Sequence, residues 1–158
     1  ISWMTNDISS LLKRKNISKN YIVLIPGSSK KHPEKRWPFY GELAKEFMSR
    51  GYDVINILGP DELDLKQSLL GHTLELLEWG DLAGLINKSS FVIGNDSGPS
   101  HIASCFKKPG IALFGPTTSG PKSELARPPF TIIETEDLSS LSSIDLFKKI
   151  KKSYSFLR

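Results

Sequence analysis

The run Tyr21-Ile-Val-Leu-Ile25, which Pro26-Gly27 closes, decides how this chain folds. All five residues are apolar, and they do not alternate with polar residues as they would in a strand with one face in water. A continuous run of this length is typical of a strand buried on both faces, as in a parallel sheet covered by helices on both sides. The run therefore predicts a central strand of an α/β domain.

Beyond this run, apolar strand patterns alternate with helical patterns along the chain. Strands are predicted at residues 53–58, 91–93, 111–114 and 130–133. Helices are predicted at residues 37–50, 61–70, 81–88 and 143–151, and from residue 99 onward. Segment 71–78 is ambiguous and leaves room for a short strand. The alternation predicts a Rossmann-like parallel sheet flanked by helices, with right-handed crossovers.

The 158 residues are enough for one domain, and the hydrophobic share of 39% is ordinary for a globular protein. Residues 21–158 are expected to form this domain, preceded by a linker or an N-terminal helix at residues 1–20. Because the chain begins with Ile1 rather than methionine, we expect it to be part of a longer protein. The single cysteine, Cys105, excludes an intrachain disulfide and is expected in the core.

The charge balance limits the classes of partner. A net charge of +4 favours phosphate-bearing ligands or an anionic membrane surface. The sequence has no basic recognition helix, RNP-type aromatic pattern or zinc-finger spacing, so nucleic-acid binding is not expected. It also has no signal peptide and no apolar run of the roughly 18–20 residues that span a bilayer. These features predict a cytoplasmic protein.

The first polar loop follows the Tyr21–Ile25 run. Gly27-Ser-Ser29 can cradle a phosphate with hydroxyl and backbone N–H groups, and Lys35 and Arg36 can neutralise its charge. The loop fits neither a Walker A motif nor the GxGxxG fingerprint. A solvated basic loop without a ligand is the alternative interpretation.

The second polar loop, Asn95-Asp-Ser-Gly-Pro-Ser-His101, joins a strand to a helix. A helix N-terminus has unpaired N–H groups and a partial positive charge, which suit a pyrophosphate. The other interpretation is an ordinary cap, in which Asp96 or Ser97 accepts hydrogen bonds from those N–H groups. Because capping and ligand binding are compatible, both are expected. No activated nucleophile accompanies Ser97, which argues against a hydrolase.

A third candidate, Glu62, follows the strand at residues 53–58. A carboxylate at this point can accept hydrogen bonds from a ribose diol, as in dinucleotide-binding folds. Equally, Asp61 or Glu62 can simply complement a helix dipole. His32 and His72 lack partners at the spacing of metal ligands, so no metal site is expected.

Several of these segments, taken in order, resemble the heptosyltransferase family, which is glycosyltransferase family 9. The segments are Ile25-Pro-Gly-Ser-Ser29, Lys35-Arg-Trp-Pro38, Tyr40-Gly-Glu-Leu-Ala44, Gly51-Tyr-Asp-Val54, Gly59-Pro-Asp-Glu62, Gly94-Asn-Asp-Ser-Gly-Pro-Ser-His101, Lys108-Pro109 and Leu113-Phe-Gly-Pro-Thr117. The resemblance covers residues 21 to about 133. The extra positive charge of Lys30-Lys-His-Pro-Glu34 departs from many relatives.

The resemblance implies the C-terminal half of a GT-B enzyme, which binds the donor ADP-heptose. The N-terminal half, absent from this chain, would bind the lipid A–Kdo acceptor and supply the catalytic carboxylate. The implied reaction inverts the anomeric centre and adds heptose to the lipopolysaccharide inner core without a metal or other cofactor. This chain alone would then bind the nucleotide sugar without transferring it, since no residue in it is assigned a catalytic role. Peripheral contact with the inner face of the inner membrane is a further expectation.

The resemblance also implies where the donor-binding residues act. Ser28, Ser29 and Lys35 would lie at the diphosphate. Glu62 would hold the ribose, and Leu77 would lie near the adenine through its backbone. Asp96 would contact the heptose, and the neighbouring residues Ser97, Gly98 and His101 would lie beside the sugar and phosphates.

Two other functions stay open. A nucleotide-sugar epimerase of the same two-domain fold would act on a donor such as UDP-GlcNAc. A non-catalytic nucleotide-binding remnant would bind nucleotide with no partner half.

Overall fold

The computed structural model describes residues 4–116 and 122–155. Thr117 of the last quoted motif and the first three residues of the expected N-terminal segment lie outside these ranges. The described chain forms a parallel sheet of six strands in the order β3-β2-β1-β4-β5-β6. The strands are β1 (Tyr21–Ile25), β2 (Asp53–Leu58), β3 (His72–Glu75), β4 (Phe91–Asn95), β5 (Gly110–Phe114) and β6 (Phe130–Glu134). The strand order reverses between β1 and β4, where ligands bind in open α/β sheets.

Helices cover both faces of the sheet. They are α1 (Ser9–Arg14), α2 (Tyr40–Ser49), α3 (Trp79–Lys88), α4 (Gly98–Cys105), α5 (Lys122–Leu125) and α6 (Ser143–Ser153), with short 3-10 helices at Pro33–Lys35, Leu63–Ser68 and Leu138–Ser140. The alternating side chains of β1 explain why its run is wholly apolar. Ile22 and Leu24 pack under α2 and α6, while Val23 and Ile25 pack under α1 and α3. Each such burial contributes roughly 1.5–3 kcal/mol relative to exposure.

The predicted strands are confirmed, and β3 lies in the ambiguous segment. The helix predicted at 37–50 begins later, at Tyr40, because Trp37 belongs to the core instead: its side chain is buried and its indole donates to the Leu141 carbonyl at 2.8 Å. The helix predicted at 61–70 is a 3-10 helix, Leu63–Ser68.

One side-chain prediction is wrong. Cys105 is exposed rather than in the core, because it lies at the last residue of α4 on the face turned from the sheet. A guanidinium nitrogen of Arg127 lies 3.0 Å from its sulfur. Among the described helices, none has the length and apolar character that crossing a membrane requires.

Candidate functional site

A pocket of about 420 Å³ lies at the carboxyl ends of β1, β2 and β4, beside the reversal of strand order. It is lined by most of the residues that the sequence predicts at the donor, namely Ser28, Ser29, Lys35, Glu62, Asp96, Ser97 and Gly98. A larger groove of about 790 Å³ lies near the amino end of β1, between the N-terminal segment and α3. It contains none of the predicted site residues, so the smaller pocket is the better candidate.

Asp96 is the centre of charge in the pocket. Its carboxylate lies 3.1 Å from Lys35 Nζ and 3.7 Å from His101 Nε2, and the three side chains come from two segments that are far apart in the sequence. The Asp96 and Lys35 side chains are only 22% and 23% exposed, so solvent weakens their attraction less than at an open surface. The ion pair holds the lysine over the pocket, where an incoming anion would compete for it.

The first turn of α4 has no side-chain cap. Ser97 stands at the N-cap position with extended backbone, but its side chain accepts no hydrogen bond from the helix, and the first turn contains no acidic residue. The prediction that Asp96 or Ser97 caps this helix is therefore wrong, because Asp96 is engaged by Lys35 and the Ser97 hydroxyl faces that of Ser100 at 3.4 Å. The unpaired N–H groups and positive end of the dipole remain available to an anion in the pocket.

Glu62 folds back over the start of its own loop. Its Oε2 accepts a hydrogen bond from the Gly59 N–H at 2.7 Å, and it does not cap the 3-10 helix that follows. The side chain lies against Gly27, where an added Cβ would come within 2.0 Å of the Glu62 Cδ. Burial raises the pKa of Glu62, with the Gly59 hydrogen bond acting in the opposite direction. The result is an oriented, half-buried carboxylate beside Gly27, at the start of the loop that follows β1.

The two predicted serines differ in their surroundings. Ser28 is buried, and its hydroxyl donates to the His32 carbonyl at 2.7 Å and accepts from Arg36 Nε at 3.3 Å. Ser29 is exposed on the pocket wall. Of the pair, Ser29 has the hydroxyl that is more accessible to a ligand.

Arg36 does not face the pocket as a counterion for phosphate. Its guanidinium is largely buried and donates to carbonyls of the β1–α2 loop (residues 26–39) and the β2–β3 loop (residues 59–71). The sequence motif therefore separates into Lys35, which reaches Asp96, and Arg36, which joins two loops.

Sequence reasoning missed the role of Asn95. This fully buried side chain donates to the Pro26 carbonyl at 3.0 Å and accepts from the Tyr40 hydroxyl at 2.9 Å. It thereby ties the end of β4 to the loop after β1 and to α2. An asparagine at the end of an otherwise apolar strand was the available signal, because buried polar groups need partners.

Leu77 and His101 do not line the pocket. Leu77 follows β3 and packs, partly buried, against the core under α3 and α4. The preceding residue, Leu76, has a positive φ of 54° and is 58% exposed. His101 is exposed on α4 and reaches the pocket only through Asp96. Their predicted contacts with adenine and phosphate stay predictions.

No group of three or more His, Cys, Asp or Glu side chains within residues 4–116 and 122–155 is arranged to hold a metal ion. The charged side chains that line the pocket are the Lys35 ammonium and the carboxylates of Asp61, Glu62 and Asp96.

Comparison with known proteins gives consistent matches. The model of glycosyltransferase family 9 (heptosyltransferase) matches residues 4–129. The lipopolysaccharide heptosyltransferase 2 of Escherichia coli K12 is 32% identical over 99 residues, which is 54% of this chain and 28% of that protein.

Two solved structures extend the match to the fold. The ADP-heptose lipopolysaccharide heptosyltransferase II of E. coli has a TM-score of 0.75 and 22% identity, over 92% of this chain and 50% of that one. An E. coli heptosyltransferase with ADP-2-deoxy-2-fluoro heptose has a TM-score of 0.72 and 20% identity, over 87% and 45%. The predicted α/β fold is confirmed, and it corresponds to about half of these GT-B structures.

Proposed function

The chain belongs to glycosyltransferase family 9, the heptosyltransferase family, and on that premise we propose that it is the donor-binding half of an inverting enzyme that moves heptose from ADP-heptose to the lipopolysaccharide inner core. One observation carries this proposal: Lys35 and the uncapped N-terminus of α4 line the same pocket. A cation and free N–H groups on one wall suit a diphosphate.

The geometry supports a specific arrangement of the donor. Lys35, the exposed Ser29 and the start of α4 face the space proposed for the diphosphate, with Ser28 contributing through its backbone. Glu62, on the β2 side, accepts from the ribose hydroxyls. Leu77 follows at the end of β3, where its backbone would meet the adenine.

The heptose lies on the β4 side of this arrangement. Asp96 binds its hydroxyls once the diphosphate has drawn Lys35 away. Ser97, Gly98 and His101 enclose the sugar and the adjoining phosphate.

The chemistry follows from the leaving group. An acceptor hydroxyl attacks the anomeric carbon as the bond to the diphosphate oxygen breaks, and a carboxylate outside this chain takes the proton. Negative charge develops on ADP, and Lys35 with the α4 N-terminus would stabilise it. We propose that no metal or other cofactor is required, so treatment with EDTA should leave nucleotide affinity unchanged.

The family match favours a transferase over the epimerase. A preference for UDP over ADP would reverse that judgement. Binding of the acceptor, lipid A–Kdo, belongs to the other half of the enzyme in this proposal. A non-catalytic remnant, by contrast, would have no acceptor-binding half.

We place the enzyme in the cytoplasm, in peripheral contact with the inner face of the inner membrane. Helix α6 supports this location with four exposed lysines, Lys148, Lys149, Lys151 and Lys152. A basic residue near an anionic bilayer contributes about 1 kcal/mol. Co-sedimentation with phosphatidylglycerol vesicles, but not with phosphatidylcholine vesicles, should therefore occur and should be lost when these lysines are replaced by glutamate.

Calorimetric titration of the chain with ADP, with UDP as comparison, tests the donor site. A charge-assisted hydrogen bond contributes about 1.5–3 kcal/mol, so Lys35→Ala should weaken ADP binding by about tenfold to a hundredfold. Lys45→Ala, which removes an exposed lysine from α2, is the matched control. Equal affinity for ADP in the wild type and in Lys35→Ala would refute the proposed site.

A further inference from the structure

We infer that Arg36 is a positioning residue: it holds the β1–α2 and β2–β3 loops at the separation that a nucleoside diphosphate requires. The inference rests on the donor-binding function proposed above. It assigns a role to a side chain that would touch no ligand itself.

The contacts of the guanidinium link the two loops directly. Nη2 donates to the Ser28 carbonyl at 3.1 Å and to the Asp61 carbonyl at 3.0 Å, and Nε lies 3.3 Å from the Ser28 hydroxyl. Ser28 belongs to the first loop and Asp61 to the second. One rigid group therefore bonds to the backbone of both.

These bonds suit arginine in particular. The guanidinium is planar and presents five donors in a fixed fork, whereas a lysine ammonium is a compact charge on a flexible stem. The side chain is only 15% exposed, so its bonds to the carbonyls form largely away from water. Its partner carboxylate on Asp64, at 3.1 Å, is 66% exposed, and such an ion pair contributes little. The backbone bonds therefore account for the link between the loops.

The linked residues are walls of the pocket. Ser28, Asp61 and Glu62 all line it, and Lys35 precedes Arg36 in the chain. If the guanidinium were lost, the two loops could separate and Lys35 would lose the support of the residue that follows it. The phosphate side and the ribose side of the site would then move independently.

Arg36 also acts on Glu62 through charge. Burial raises the pKa of the Glu62 carboxyl, and the negative charges of Asp61 and Asp64 add to the rise, while the Gly59 hydrogen bond and the positive charge of Arg36 oppose it. Removing the charge would keep Glu62 protonated to a higher pH, and a protonated carboxyl accepts hydrogen bonds from ribose less well.

The test compares Arg36→Lys, Arg36→Met and Asp64→Asn by calorimetric titration with ADP. Arg36→Lys keeps the charge but loses the fork, and we expect about tenfold weaker binding, as for loss of hydrogen bonds to a charged group. Asp64→Asn, which removes the exposed ion pair but not the backbone partners of Arg36, should change the affinity less than twofold. The inference would be overturned if Arg36→Lys bound ADP as tightly as the wild type. It would also be overturned if Asp64→Asn lost as much ADP affinity as Arg36→Lys.

A pH series separates positioning from general destabilisation. In Arg36→Met, the loss of ADP affinity on acidification should begin at a higher pH than in the wild type, and adding Glu62→Gln should abolish that shift. An unshifted profile contradicts the role toward Glu62, and if Arg36→Met does not fold, Arg36→Lys still decides the role of the fork. Failure of the wild type to bind ADP would instead refute the donor-binding function.

Discussion

Helices α4 and α6 both have a serine at the N-cap position, yet only one of the two serines caps its helix. At α6, the Ser142 hydroxyl accepts from the Asp145 N–H at 3.1 Å, and Asp145 adds an acidic group to the first turn. At α4, Ser97 makes no such bond and no acidic residue follows. The start of α6 is therefore satisfied within the chain, whereas the positive end of α4 has no side-chain cap.

The difference has a cause in the neighbouring loops. Asp96 could serve α4, but Lys35, 61 positions earlier in the chain, engages its carboxylate. No comparable cation pairs with Asp145 among the ion pairs of the described residues. A capping residue type therefore predicts a cap only where no stronger partner competes for the side chain.

The largest effect should come from giving the first turn of α4 a carboxylate, since the first turn of α6 has one and that of α4 has none. Pro99 stands at the second helical position of α4, as the exposed Ile144 does in α6. A carboxylate there opposes a bound diphosphate, so Pro99→Glu should weaken ADP binding by about tenfold or more, measured by calorimetry. Ile144→Glu is the matched control and should leave the affinity unchanged. Similar losses in both variants would mean that α4 is not an anion site.

A smaller effect is expected on stability. Ser142→Ala should lower the free energy of unfolding by about 1 kcal/mol, because it removes a cap that exists. Ser97→Ala removes no capping hydrogen bond and should lower the free energy of unfolding clearly less. Urea denaturation of the two variants measures both values, and equal losses would show that Ser97 caps α4 after all.

The smallest effect concerns Glu62. Like Ser97, it stands at an N-cap position, here of the 3-10 helix Leu63–Ser68, and makes no side-chain cap hydrogen bond. Because burial raises its pKa above the ordinary value of 4.5, its favourable contribution is full below that value and is lost as the pH rises through the raised pKa. Glu62→Gln should therefore gain stability relative to the wild type as the pH increases through this window. Thermal unfolding across the window measures the difference, and a constant difference would contradict the raised pKa.

The sequence predicted the sheet well and its edges less well. The run of β1 is apolar throughout and that of β2 is apolar except for Asp53 and Asn56, so the bounds of both could be read directly. The short edge strand β3 is only partly buried, and its pattern was ambiguous for that reason. Cys105 was misplaced because the residue type favours burial, whereas the end of α4 lies on the outer face.

By itself, the sequence determined the succession of strands and helices along the chain, the parallel sheet and the kinds of side chain at the strand ends. It could do so because burial periodicity and turn residues depend on only a few neighbouring positions. The tertiary structure alone decided that Lys35 pairs with Asp96, that Arg36 joins two loops and that Asn95 meets Tyr40. Each of these choices is a competition between several possible partners. Its outcome depends on which distant segments the packed sheet brings within about 3 Å, the reach of a hydrogen bond.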